Sequence, residues 1–380
     1  MSQREYLRQL PSHQRGPTSH DIAYRLHLDG PLLGGLFAIM CYSLFILYSA
    51  GGEDTDLLIR QLSRYLAGFV ALFVLAQFPP RTFRFWTPVL YGIGLIMLVL
   101  VLVMGVEAKG AQRWLSVPGL GRFQPSELMK VAVPALVAWF FRDRALPPSL
   151  RDIALALAII IIPVLLIAKQ PDLGTSLLII MSGITVLFMA GLSWRIIGVT
   201  ALGAAVAAPL MYFHVLHDYQ RRRVDTFLNP EADPLGAGWN IIQSKTAIGS
   251  GGLQGKGWLQ GTQSRLDFLP ESHTDFIFAV IAEELGLFGI LLLFALYLFV
   301  IGRGLWISYH AQDLFSRLFG AGITLTFFIY ILVNVGMVSG LLPVVGVPLP
   351  LISYGGTSIV TLLAGFGILM SIHTHRRLMG

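Results

Sequence analysis

The sequence predicts an all-α polytopic integral membrane protein of about ten transmembrane helices with one large extracytoplasmic loop, and three observations predict it. Hydrophobic residues make up 55% of the 380-residue chain and charged residues only 13%, with a mean hydropathy of +0.69, well outside the soluble globular range. Apolar runs long enough to cross a hydrocarbon core of about 30 Å fall at 31–50, 62–78, 85–105, 127–141, 153–168, 173–191, 194–213, 275–302, 316–338 and 351–372. Only the 214–272 interval is long and polar, and long ordered loops on a rigid scaffold are where binding and catalysis concentrate.

The N-terminal tail, 1–30, is polar, and the first apolar run is too long for a removable signal and lacks a small-residue cleavage site. That run is its own membrane anchor. Cys41 is the only cysteine, so no internal disulfide can form. An even number of spans puts both termini on one side, and the Lys/Arg bias of short loops assigns that side to the cytoplasm. It carries Arg4, Arg8, Arg15 and Arg25, then Arg81, Arg84, Arg142, Arg144, Arg151, Arg195, Arg303 and Arg317, and finally Arg376 and Arg377, whereas the opposite 51–57 loop carries Glu53, Asp54 and Asp56. The net charge of +6 is this orientation signal and not a nucleic-acid patch, since no aromatic-interleaved basic stripe accompanies it.

Between the third and fourth runs, 106–126 has a Gly and Pro spacing that excludes a long helix. Pro134, Pro163 and Pro209 fall inside apolar runs, where membrane helices accommodate kinks. The 214–272 loop reads as irregular, and its GSGGLQGKG at 249–257 is no Walker loop, because Ser250 and Gly257 stand where Gly and Ser or Thr are required. Two readings remain for it: a flexible turn-rich loop, or a backbone nest that with Lys256 holds a phosphate. The segment 343–358 is Pro/Gly-dense and predicts a re-entrant or tightly turned stretch, tolerable at membrane depth only when buried in protein or lining water. The whole is one membrane domain, 1–380, without an inverted repeat of broken helices.

Asp275 is the strongest candidate for chemistry. It follows Ser272 and Thr274 and is expected in the first turn of the eighth span, where the helix N-terminus favours a carboxylate. An ionised carboxylate at the rim of a membrane domain can act as a general base; ordinary helix capping is the competing role. Glu271 and His273 flank it. At about 100° per residue, Glu283 is displaced by about 80° from Asp275 and is expected to line the same cavity, whereas Glu284 points away and pairs internally. Glu127 and Lys130, spaced i, i+3, can neutralise each other on one helix face. Arg113 beside Trp114 joins a cation to an aromatic, suited to a phosphate and a sugar or lipid face, although an interfacial Trp also serves as an anchor.

GAQRWL at 110–115, QPSELMK at 124–130, QPDLGTS at 170–176, the glycine-rich 247–278 stretch with HTDFIF, AEELG at 282–286 and PVVGVPLPLISYGGTS at 343–358 resemble, in order and over essentially the whole chain, the SEDS family of shape, elongation, division and sporulation proteins. The resemblance is to the rod-shape elongation branch, since the division branch carries a lysine before the glycine where this chain has Val345. It implies a glycosyltransferase that polymerises lipid II into peptidoglycan glycan strands at the outer face of the bacterial cytoplasmic membrane. In that chemistry the 4-hydroxyl of an acceptor lipid II attacks the anomeric carbon of the growing strand, undecaprenyl pyrophosphate leaves, and α becomes β.

The resemblance puts the family's essential acid on Asp275. Arg113, Lys245 and Lys256 are candidates to meet the pyrophosphate, and Trp114, Glu127, Lys130, Glu271, His273, Glu283, Ser353 and Tyr354 are expected to bind substrate. A divalent cation could share the work, although no ligand constellation identifies one. The expected partners are a class B penicillin-binding protein that cross-links the product, other elongation-complex membrane proteins and the membrane lipids. A lipid II flippase, which would use the deeper Glu127, Lys130, Glu283 and Glu284, is the alternative, followed by a non-enzymatic scaffold.

Overall fold

The computed structural model describes residues 26–108, 111–117, 121–214, 218–232, 238–266, 268–269 and 271–375. Residues 1–25, most of the expected cytoplasmic tail, lie outside the described residues, as do Arg376 and Arg377. Ten long helices coincide with the ten expected spans: α1 Gly30–Ala50, α2 Thr55–Ala76, α3 Pro80–Met104, α4 Pro125–Phe141, α5 Leu150–Ala168, α6 Leu173–Met189, α7 Trp194–His214, then Ile277–Tyr309, Leu314–Val338 and Thr357–Thr374. Seven of them are long and apolar enough to cross a membrane, and α6 and Trp194–Ala207 are shorter apolar helices. The protein is a multi-pass membrane protein.

Side-chain caps fix where helices begin. Asp29 accepts from the Leu32 N–H of α1, Asp54 from Asp56 of α2, and Asp172 from Thr175 of α6, each satisfying an N–H that the helix itself cannot bond. Ser149 and Asp152 form a capping box on α5. Asp29 also holds Arg303 through two hydrogen bonds and lies 2.9 Å from His373, tying α1 to two later spans. Burial works to raise the Asp29 pKa, but His373 and Arg303 outweigh it and hold the carboxyl well below its usual range.

Between α3 and α4 the chain forms a three-stranded antiparallel ribbon, β1 Val106–Ala108, β2 Ala111–Val117 and β3 Gly121–Phe123, in that order. The large loop is not irregular as expected. It contains α8 Asp218–Leu228, a 3-10 turn Pro230–Ala232, α9 Trp239–Gly251 and the single turn α10 Thr262–Arg265. Ile241, Ser244 and Ala247 repeat on one face of α9 and are buried, at the spacing that seats a helix on a neighbour. The three remaining long helices are α11 Ile277–Tyr309, α12 Leu314–Val338 and α13 Thr357–Thr374. α12 is the central post: 78% of its most apolar stretch is buried, against 28% for α2, α3 and α11, whose Leu, Ile, Val and Phe side chains face outward as a lipid-facing surface requires.

α11 is broken at Gly286, whose φ of 64° and ψ of −155° interrupt the helical ladder. The glycine-rich segment after α9 repairs the break. The Lys256 and Gly257 N–H groups donate to the Glu283 and Glu284 carbonyls, and the Leu287 and Phe288 N–H groups donate to the Gly252 and Leu253 carbonyls. Two carbonyls and two N–H groups around the break thereby have partners, which an apolar setting demands. The flexible-loop and phosphate-nest readings of 249–257 are both corrected: Gly251 and Gly255 stand where two backbones touch. Gly255, at φ 78°, leaves no room for a Cβ against the Glu284 carbonyl, whereas a Cβ at the helical Gly249 would meet nothing within 4 Å. Gly255→Ala should therefore destabilise the detergent-solubilised protein by roughly 1–3 kcal/mol, and Gly249→Ala should stabilise it by about 0.5–1 kcal/mol. Thermal unfolding of both variants checks the pair, and equal melting would refute the docking.

Candidate functional site

The residues that precede α11 form a turn and not its first helical turn, because the helix starts at Ile277 with Phe276 as N-cap. Asp275 thus stands just outside the helix, two residues before its first helical residue, and not in the expected first turn. Within the turn, Thr274 N–H donates to the Glu271 carbonyl and the Thr274 hydroxyl to the Glu271 carboxylate at 2.6 Å. Three successive carbonyls are then pinned from three directions. Tyr354 N–H donates to His273, Ser353 Oγ to Thr274 at 2.6 Å, and Asn334 Nδ2 to Asp275 at 2.8 Å. The backbone that carries Asp275 is over-determined, as a preorganised site needs.

The pinning elements are themselves held. The stretch between α12 and α13 is non-helical from Gly340 to Gly356 and runs through the protein interior, with Val347, Leu349, Leu351 and Ile352 buried. Helix side chains satisfy its carbonyls one after another: Asn334 donates to Val347, Tyr297 to Pro350, Tyr65 to Leu351, Ser43 to Ile352 and Gln61 to Ser353. This is the protein-buried irregular backbone that the Pro/Gly pattern at 343–358 predicts. Ser353, expected to bind substrate, is instead buried and spends its hydroxyl on this scaffold, donating to Thr274 and accepting from Leu349 N–H.

Asp275 lines an open cavity of about 600 Å³ with Arg113, Glu271, Asn240, Val345 and Tyr354, within the usual size of small-molecule sites. Arg113 is presented by β2; its Nη2 donates to the Pro171 carbonyl at 2.5 Å and its Nη1 lies 3.6 Å from Asp172. Asp172 is held in turn by Gln124. Tyr354 is braced by Arg64, whose Nη2 lies 2.9 Å from the phenol oxygen and whose guanidinium covers the ring at 3.9 Å. One guanidinium, two carboxylates and an aromatic wall thus meet in one open cavity with apolar flanks.

Several expected members are elsewhere. Lys256 forms an ion pair with the fully buried Glu283 at 2.6 Å, and Glu283 also accepts from the Thr262 and Gln263 N–H groups. Neither lines the Asp275 cavity; the helix starts only at Ile277, so Asp275 lies outside it and the angular argument does not apply. Glu284 does pair internally, accepting from Ser49. Lys245 is exposed on α9 with its stem against Gly340, and Trp114 is half-buried on β2; neither is part of the cavity wall. Glu127 and Lys130 pair at 2.6 Å beside a separate cavity of only about 30 Å³, room for about one water and not for a substrate. His273 packs edge-on against Tyr354. Among the described residues no three His, Cys, Asp or Glu side chains cluster to hold a metal ion.

Sequence reasoning missed Asp172, Asn334 and Arg64. Asp172 had a signal, since Asp followed three residues later by Thr at the start of an apolar run is an N-cap pattern. Asn334 is a lone amide inside the apolar 316–338 run, and such a residue always needs a partner.

The chain is 56% identical over 355 residues to the peptidoglycan glycosyltransferase MrdB of Escherichia coli K12, covering 93% of this chain and 96% of that one. It superposes with a TM-score of 0.80 and 34% identity on a chain solved in a study of the structural coordination of polymerization and crosslinking by a peptidoglycan synthase complex, covering 91% of this chain and 97% of that chain. The crystal structure of the Thermus thermophilus rod shape determining protein RodA matches with a TM-score of 0.68 and 30% identity, over 91% and 96% of the two chains. The family described as cell cycle protein, FtsW/RodA/SpoVE, matches residues 28–378, and the chain belongs to it.

Proposed function

We propose how this chain, a peptidoglycan glycosyltransferase of the rod-elongation type, performs its reaction. The growing strand and an acceptor lipid II meet in the Asp275 cavity. The Asp275 carboxylate takes the proton of the acceptor 4-hydroxyl as that oxygen bonds to the anomeric carbon of the strand. The bond from that carbon to the pyrophosphate oxygen breaks on the opposite face, inverting the centre, and undecaprenyl pyrophosphate carries the negative charge away. Arg113 faces that charge as it develops, where a fixed cation is most useful, and Asp172 holds the guanidinium in register. The observation that supports this reading is the triple pinning of the backbone at Asp275, with Arg113 on the same cavity. Polymerisation of purified lipid II by the purified chain, with and without a class B penicillin-binding protein as transpeptidase partner, tests it. Absence of polymer under both conditions would refute it.

The flippase alternative needs charges lining a path through the bilayer. The deep Glu127, Lys130 and Glu283 are all engaged in ion pairs, which favours the polymerase reading.

Arg113→Lys should retain more activity than Arg113→Ala, because a point charge survives although the two-pronged geometry is lost. If both variants match the wild type, Arg113 has no part in the chemistry.

The same proposal places the Asp275 side of the protein outside the cytoplasmic membrane and both termini inside it. In a Cys41→Ser background, cysteine at the exposed Glu231 should react with a membrane-impermeant thiol reagent in intact spheroplasts, and cysteine at the exposed Asp143 should not. The opposite labelling pattern would invert the topology.

A further inference from the structure

The base and the wall that faces it are hung from one side of α12. Asn334 and Met337, both fully buried, stand one turn apart on that helix and share a face. Asn334 spends both amide N–H groups on backbone, one on the Asp275 carbonyl at 2.8 Å and one on the Val347 carbonyl at 2.7 Å. Its Oδ1 is buried with no hydrogen-bond partner among the described residues, so the side chain serves those two carbonyls and nothing else. Met337 accepts the Val345 N–H on its sulfur at 3.4 Å. The Val345 carbonyl in turn faces Gly174 of α6, where a Cβ would come within 2.6 Å of the oxygen. Val345 and Val347 are thereby fixed on either side of Gly346.

Gly346 stands at a positive φ of 71°, and it is bare towards the base. A Cβ there would lie 3.3 Å from Asp275 Oδ2, and that oxygen is the one atom it would meet within 4 Å. A contact that close is tighter than Cβ atoms ordinarily make, so a methyl group would displace the carboxylate by a few tenths of an ångström. Gly346 lines the Asp275 cavity together with Val344, Val345 and Pro348, so the space beside Oδ2 opens into that cavity. A general base acts only from within hydrogen-bond reach of the proton it takes, and a misplacement of about 1 Å can cost about 100-fold.

We propose that Asn334 and Gly346 are positioning residues for the reaction: Asn334 clamps the Asp275 turn at a fixed distance from the 345–347 wall, and the missing side chain of Gly346 keeps Oδ2 clear for the acceptor hydroxyl. Both act through the Asp275 carboxylate. This inference rests on the polymerase reading for what that carboxylate does, and on the contacts alone for where it is held. Its effect is on turnover and not on affinity, because the cavity keeps its cation and its aromatic wall while the base loses its alignment.

The test uses the full-length protein, with rates taken per folded molecule. Gly346→Ala and Asn334→Ala should each lower kcat for lipid II polymerisation about 10- to 100-fold and leave KM within about twofold. Gly52→Ala controls for backbone strain, since Gly52 has nearly the same φ, 68°, with nothing within 4 Å of an added Cβ; it should keep kcat within about twofold. In an Asp275→Glu background, whose base is already displaced, Asn334→Ala should cost less than about threefold, whereas a purely structural role would cost the same factor in both backgrounds. Hydrogen exchange reads the clamp without activity. In Asn334→Ala the Thr274, Phe276 and Val345 amides, which donate to Glu271 and Met337, should exchange about tenfold faster, while those of α5 keep the wild-type rate. Where Asn334→Ala fails to fold, Asn334→Ser, which keeps one donor, takes its place. Unchanged kcat in either variant, an equal loss in Gly52→Ala, the same factor in both backgrounds or unchanged exchange would overturn the proposal. A wild type that makes no polymer, with exchange responding as stated, would defeat the polymerase reading and leave the clamp standing.

Discussion

Asp275→Asn should abolish detectable polymerisation of lipid II while the protein still inserts, folds and binds the proposed transpeptidase partner. Asparagine has nearly the same shape but no basicity, and general-base catalysis contributes on the order of 10² to 10⁴-fold. The fold should tolerate the change because the contacts that hold this turn are made by backbone carbonyls, which Tyr354, Ser353 and Asn334 engage whatever side chain residue 275 carries. Asp275→Glu should keep a small residual activity, since the base remains but is displaced by a methylene in a turn too rigid to compensate. The measurement is a gel assay for glycan strands with membrane abundance and partner capture scored alongside. Near-normal polymer from well-expressed Asp275→Asn protein would remove Asp275 from the role of base.

The spans and the leading candidate were legible because both depend on local signals. Membrane thickness sets the length of an apolar run, and a carboxylate just ahead of such a run is conspicuous in a chain with so few charges. The ends of helices were less legible. The 62–78 run understates α2, which begins at Thr55 because Asp54 caps it; the polar first turn of a helix at the interface does not raise hydropathy. The last span begins at Thr357 and not at 351, because the apolar Leu351 and Ile352 belong to the buried non-helical stretch and hydropathy does not distinguish the two.

The internal pairing of Glu284 held, with Ser49 as its donor; the inferences that failed needed a particular long-range contact that the sequence does not spell out. The angular placement of Glu283 assumed one helix running from Asp275, and the pairing of Glu283 with Lys256 links positions far apart in the chain. The glycines at 249–257 carry the same signature in a flexible loop and at a point where two backbones meet, and only the docking onto the broken α11 separates them. Arg113 was legible as a cation beside an aromatic, but of that pair only the cation lines the cavity; Trp114 alternates to the other face of β2, as neighbouring strand residues do.

Glu127 and Lys130 give the largest expected effect on stability. Their side chains are only 6% and 10% exposed and their charged atoms lie 2.6 Å apart; Thr361 donates a further hydrogen bond to Glu127, and the Lys130 ammonium lies 5.0 Å from the centre of the Tyr330 ring. Lys130→Met fills the space of the aliphatic stem but leaves the Glu127 carboxylate with a hydroxyl as its remaining partner. Breaking a buried pair in this way costs about 3–5 kcal/mol, whereas removing both charges is often close to neutral. The double variant Glu127→Gln with Lys130→Met, in which the glutamine carbonyl still accepts from Thr361, should therefore recover most of the lost stability. Thermal unfolding of the detergent-solubilised single and double variants measures this. A double variant as unstable as Lys130→Met would show that the lysine stabilises α4 by something other than neutralising its neighbour.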